Sequence, residues 1–168
     1  MAYDSMVTAG EVIDPMAAAQ AAIRAYCGWH VAPVVTETMV RDGNGRSLLK
    51  LKTERIRELI SVRINGRDVT EQVRWSEAGM LEGMKFPHRF RAVEVELEHG
   101  YDLDEVDEVR GVLVKAAQRF ETDPRVRSQA VGGASVAYTV GEGGAPLSHL
   151  LTSDEWAALD PYRLTMGV

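Results

Sequence analysis

The run Ile60-Ser61-Val62-Arg63-Ile64-Asn65-Gly66-Arg67 decides the fold class. Its apolar residues alternate with polar ones at period two, which sets Ile60, Val62 and Ile64 on one face of a strand. Asn65-Gly66 follows, two residues that accept positive φ and so favour a tight hairpin turn. Beyond the turn, Val69 and Val73 lead towards Trp75. Upstream, Val35, Met39 and Arg41 run into Asp42-Gly43-Asn44-Gly45, another turn signal, and Leu49 and Leu51 alternate with Lys50 and Lys52 on its far side. A β-hairpin across that turn is expected. Downstream, Val93, Val95 and Leu97 alternate with Glu94, Glu96 and Glu98, the pattern of a strand with one wet face. The segment 34–99 therefore reads as antiparallel sheet.

Outside that segment the period changes from two to helical. Asp14-Pro15 is a helix start, with Asp14 at the cap and Pro15 at the first helical position. Met16, Ala19, Ile23 and Tyr26 follow at helical spacing, and Gly28 is a stop. The alanines between them make helix 14–27 thin, which suits close packing on a second helix. Asp102 and Glu105 have the spacing of a capping box and open helix 102–121. Its apolar stripe is Leu103, Val106, Val109, Leu113, Ala116, Ala117 and Phe120. Asp123-Pro124 ends it. Gly132-Gly133 introduces a strand over 134–140, and 141–146 reads as a flexible link. Thr152 and Glu155 form another capping box, opening a final short helix. The organisation expected is an N-terminal arm 1–13, a body 14–140, and a C-terminal linker and helix 141–168. The fold class is α+β: a small helical bundle with an inserted hairpin-rich sheet.

The chain has 168 residues and a formal net charge of −6, an ordinary soluble composition. Charge is uneven along it. Between Arg41 and Arg91 there are 12 Lys/Arg against 7 Asp/Glu, or +5; the rest holds 7 against 18, or −11. Two readings stand: solvated faces, or a basic surface of one copy meeting an acidic surface of the next. The single cysteine, Cys27, excludes an intrachain disulfide. No basic region followed by an apolar run marks the N-terminus, so no secretion signal is expected. The apolar stretches fall far short of the roughly 20 residues of a membrane span.

The residue types that carry chemistry do not assemble. His30, His88, His99 and His149 are scattered along the chain, and none is paired at metal-ligand spacing. Cys27 and His30 could form a thiolate–imidazole pair, but Cys27 as a small buried hydrophobe and Trp29 as a core anchor fit better. Asp102, Asp104, Asp107 and Glu108 lack the calcium-loop pattern and read as a solvated helix start. The glycines at 132–133 and 141–144 lack the Lys-Ser/Thr of a phosphate loop. No catalytic, metal or cofactor residues are assigned. Arg55, Arg57, Arg63, Arg67, Arg74, Arg89 and Arg91 could attract DNA, but acids interleave them and aromatics are sparse.

One family shares the order of the short motifs. They are the Ala-rich helix closing in Tyr26-Cys27-Gly28-Trp29-His30, the hairpin-rich insertion, Glu98-His99-Gly100-Tyr101 before the acidic helix, Gly133-Ala134-Ser135-Val136, and Leu159-Asp160-Pro161-Tyr162-Arg163. In this order, over about residues 15 to 165, the chain resembles the head–tail connector proteins (adaptors or head-completion proteins) of long-tailed bacteriophages, the actinobacteriophage type in particular. The resemblance implies a non-enzymatic virion protein, assembled in the host cytoplasm, that forms a ring of twelve copies beneath the portal; another neck component, a stopper or tail-completion protein, is the alternative. It implies four kinds of neighbour: the portal, a neck stopper or tail-completion protein, further copies of the chain, and double-stranded DNA sliding through without specific binding. No membrane contact is implied. Carried onto this sequence, the portal-docking segment is Trp156, Leu159, Tyr162 and Arg163. A flexibly linked aromatic helix suits docking in trans, and Trp156 and Tyr162 as core residues is the other reading. The large β portion departs from the more helical members and leaves open which surface faces the tail.

Overall fold

The computed structural model describes residues 14–121, 128–131, 134–137 and 151–165. The N-terminal arm, residues 138–140 of the expected strand and the link at 141–146 lie outside the described residues. The chain is α+β, as the change of period requires. Helix α1 (Pro15–Cys27) precedes strands β1 (Val35–Arg41), β2 (Leu48–Lys50), β3 (Ile56–Ile64), β4 (Arg67–Asp68), β5 (Arg74–Trp75), β6 (Met80–Glu82) and β7 (Val93–His99). A 3-10 turn (Leu103–Val106) runs into α2 (Asp107–Glu121). A small hairpin, β8 (Ser128–Val131) with β9 (Ala134–Ala137), and α3 (Ser153–Leu159) complete the order.

Two antiparallel sheets share one core. The first has the order β1-β7-β3-β4 and the second β2-β6-β5. Val93, Val95 and Leu97 of β7 are fully buried, while their neighbours Glu94, Glu96 and Glu98 face outward, as period two dictates. Leu51, Ile56, Val62, Leu81 and Phe86 close on the same core. The Asn65-Gly66 hairpin forms as expected, with both residues at positive φ (51° and 81°) between β3 and β4.

The other expected hairpin does not form. β1 pairs with β7 and β2 pairs with β6, so the Asp42–Gly45 turn carries the chain from one sheet to the other. The turn residues are bound to a distant loop. Asp42 accepts from the Arg91 N–H at 2.7 Å, and the Gly43 N–H donates to the Arg89 carbonyl at 2.9 Å. A side chain at Gly43 would collide with the Pro87 carbonyl, so the close approach needs glycine. Asn44 accepts from the Arg46 N–H and donates to the Leu48 carbonyl, closing a local turn that aims β2 away from β1.

The helical layer packs beside this body. Asp14 caps α1 by accepting from the Met16 N–H, and Gly28 ends it in the left-handed region. The thin face meets α2 as expected: Ala19 packs on Ala116 and Ala117. Below that crossing, Ile23, Cys27, Trp29, Val106, Val109, Val112 and Leu159 form a second core. Its seam with the sheets is polar. Arg55 bridges Glu77 and Glu105, and Arg57 bridges Asp102 and Glu105. The Tyr101 N–H donates to the Val31 carbonyl at 2.8 Å. Gly100, at φ 113°, passes Pro33 where a Cβ would come within 2.7 Å of the carbonyl oxygen.

Candidate docking surface

The four residues singled out from the sequence sit on or beside α3, and the fold brings them together while giving them unequal roles. Thr152 and Glu155 form the predicted capping box. Burial works to raise the Glu155 carboxyl, but hydrogen bonds from Arg119 (2.5 Å) and from the Thr152 backbone N–H outweigh it and hold the group below the usual range. This pair bolts α3 to α2. Leu159 is completely buried in the helical core, so it anchors the segment and contributes nothing to the surface. Tyr162 is half-buried; its ring meets Tyr101 edge-on at 5.5 Å, and its carbonyl accepts from the Trp29 indole N–H at 2.7 Å. The Leu164 N–H then donates to the Cys27 carbonyl at 2.7 Å. The C-terminal segment is thus packed against the helical layer of its own chain.

Trp156 and Arg163 are what the surface keeps. Trp156 is 44% exposed and stacks on Tyr26, with centroids 6.2 Å apart and planes 11° from parallel. The Arg163 guanidinium lies over Tyr26 at 5.1 Å from the ring centroid. The Tyr26 hydroxyl donates to Asp160 at 2.7 Å, which holds its proton more tightly than usual, raising its pKa above the ordinary tyrosine value. Trp156, Tyr26 and Arg163 therefore form a preordered aromatic–cationic platform at the junction of α1 and α3. Stacked aromatics with arginine are the residue types that anchor protein interfaces. Tyr26 was readable only as a core position; its helical spacing gave no sign that α3 would return to it.

The residues considered for chemistry have other uses. Cys27 is buried, and burial pushes its thiol up to about 11, so it stays protonated. A His30 ring nitrogen sits 2.5 Å from the Pro33 carbonyl and donates to it. His99, far away in sequence, comes within 5.8 Å of His30, ring to ring. His99 is fully buried between Glu37 (3.0 Å) and Thr53 (3.2 Å). Burial lowers its pKa, against the opposing pull of Glu37. The neutral ring donates from Nε2 to Glu37 and accepts at Nδ1 from the Thr53 hydroxyl. Among the described residues, no three His, Cys, Asp or Glu side chains are placed to hold a metal ion. Of the basic residues in the insertion, Lys50, Arg55, Arg57, Arg63 and Arg74 are tied into ion pairs.

No protein-family model matches the chain. No curated protein matches it either. Among solved structures, the chain is similar to a chain in the neck of an empty GTA (gene transfer agent) particle, computed with C6 symmetry. The similarity covers 92% of this chain and 78% of that one, at 15% identity and a TM-score of 0.53. At that identity the likeness is one of fold, and it extends over almost the whole α+β architecture described above.

Proposed function

We propose that the chain is a structural component of the virion neck in a phage-type particle: an adaptor that forms a ring beneath the portal, extends the DNA channel and carries the next neck or tail protein. The observation that carries this reading is the fold shared with a neck chain over 92% of the length. The motif order over residues 15 to 165 supports it independently. The Trp156–Tyr26–Arg163 platform is the proposed portal contact, with Leu159 and Tyr162 as the packing that holds it in place. An overall acidic chain suits a channel through which DNA slides without sticking. DNA binding by the basic residues of the insertion is the weaker alternative, because carboxylates of the same chain already pair with five of them.

The test is attachment. Purified full-length chain is mixed with portal rings from the same particle and sedimented, then viewed by negative-stain electron microscopy. Portal rings should gain a collar of density on one face, and a Trp156→Ala/Arg163→Ala double variant should attach weakly or not at all. Portal rings that stay bare, together with tight and steeply salt-dependent DNA binding in a gel-shift titration, would overturn the reading.

A further inference from the structure

Phe90 is the most exposed large hydrophobic side chain among the described residues, at 83%. It belongs to a loop, residues 83–91, that also exposes Met84, Lys85, Arg89 and Arg91. An apolar tip ringed by three cations has two ordinary explanations, a mobile loop or a surface that something covers. The structure argues against mobility. Phe86 is fully buried beneath the loop, and its N–H donates to the Arg46 carbonyl at 2.8 Å. The Arg89 carbonyl and the Arg91 N–H are both tied to the Asp42–Gly43 turn. Arg91 itself is held at φ 51°, a conformation an arginine rarely adopts. The loop is fixed from both sides with Phe90 pointing out, and such preordering reduces the entropy lost on binding.

A complementary surface exists on the same chain. The outer face of the first sheet carries Glu94, Glu96 and Glu98 from β7 and Glu58 from β3. Glu58 and Glu98 are direct cross-strand partners, two like charges opposite one another, an arrangement that destabilises a sheet on its own. Arg63 neutralises Glu94 at 3.4 Å, and Glu96 accepts from the Ser61 hydroxyl. Among the described residues no cation of this chain pairs with Glu58, Glu96 or Glu98, and none of Lys85, Arg89 and Arg91 pairs with any carboxylate. Val40, 42% exposed and paired with Glu94, adds an apolar spot to that face.

Among the described residues, the loop's cations are not paired with Glu58, Glu96 or Glu98 within one molecule. The fixed loop enters β7 at Val93, while the Glu58–Glu98 pair lies five residues further along, about 17 Å at ~3.3 Å per residue. We infer that the Phe90 loop of one copy docks on the acidic outer sheet face of the next, its arginines against Glu58, Glu96 and Glu98. Donor and acceptor are different patches, so the contact is head-to-tail, the kind that closes into a ring when the rotation permits. The inference deepens the neck reading and rests on it for ring closure; the contact itself rests on the charges and on Phe90.

The experiment is charge reversal on the full chain, with oligomeric state read by native mass spectrometry and analytical ultracentrifugation over a concentration and salt series. Wild type should self-associate, and added salt should weaken the association. Arg89→Glu/Arg91→Glu, Glu58→Lys/Glu98→Lys and Phe90→Ser should each weaken it about 30-fold or more, with thermal unfolding unchanged. Combining both reversals in one chain should restore association, which loss of folding could not mimic. A wild type that stays monomeric at the highest concentration it tolerates would overturn the inference. So would single reversals that associate normally, or a combined variant that is not rescued. If the single reversals associate normally and still attach to portal rings, the surface assignment fails and the neck reading stands. If wild type self-associates but ignores the portal, the opposite holds.

Discussion

The sheet body and the helical layer are built in opposite ways. The body is made from one continuous run, Val35 to His99, whose strands bury Val62, Val93, Val95 and Leu97 against Leu51, Leu81 and Phe86. The helical layer is collected from three separated pieces: α1, the 3-10 turn with α2, and the segment 151–165. Leu159 shares one core with Cys27 and Trp29, which lie more than a hundred residues before it. The difference teaches where stability and function are coupled. The body can carry exposed features such as Phe90 without depending on them, whereas the segment bearing Trp156 and Arg163 is also the keystone of the layer it decorates.

The sharpest way to break this contrast is Leu159→Ala. Removing a fully buried leucine from the helical core should cost about 2–5 kcal/mol. Native-state hydrogen exchange should show protection falling across α1 and α2 while β3 and β7 keep theirs. Uniform loss over both regions would mean that the two cores unfold as one. Arg119→Ala comes next. It leaves the buried Glu155 without its partner and should cost about 2–3 kcal/mol by thermal or denaturant unfolding, again localised to the helices.

A pH titration sharpens the comparison at the seam. His99 is buried neutral, with a pKa below its ordinary 6.5. Between those two values the unfolded chain binds the extra proton and the folded chain does not, so stability rises with pH across that window. The contribution is complete above about 6.5 and is lost as pH falls through the folded value. His99→Gln should lower stability at neutral pH and flatten the curve in that window. The carboxylate Glu155, held low, gives a separate loss at more acid pH, which the variant should retain. The smallest expected effect is that of Trp156→Ala. The ring is 44% exposed, so its removal should cost only about 1 kcal/mol of stability through the lost stack on Tyr26. Under the proposed function the same change weakens portal attachment, and that split between stability and attachment is the informative result.

Much of the fold was legible because its signals are local. Asp14-Pro15, Asn65-Gly66 and the capping boxes at Asp102 and Thr152 each act within a few residues, and each forms where the spacing places it. The alternation in β7 identified its buried face. Strand partnership was less legible. Asp42-Gly43-Asn44-Gly45 carries the composition of a hairpin turn, but Asp42 and Gly43 are bonded to the 83–91 loop, and nothing local shows that. Of the residues proposed for docking, Trp156 and Arg163 reach the surface, whereas Leu159 is core, because an i, i+3 spacing on a short helix does not reveal which face another element will cover. Phe90 carries no signal in the sequence for a related reason: its exposure is a tertiary fact.

The direct measurement is an electron cryomicroscopy reconstruction of the neck of the particle that carries this chain. The account predicts the α+β fold in a closed ring on the DNA axis, immediately below the portal, with Trp156 and Arg163 against portal density. A particle whose neck is complete without this chain, or a chain bound singly away from the axis, would contradict it.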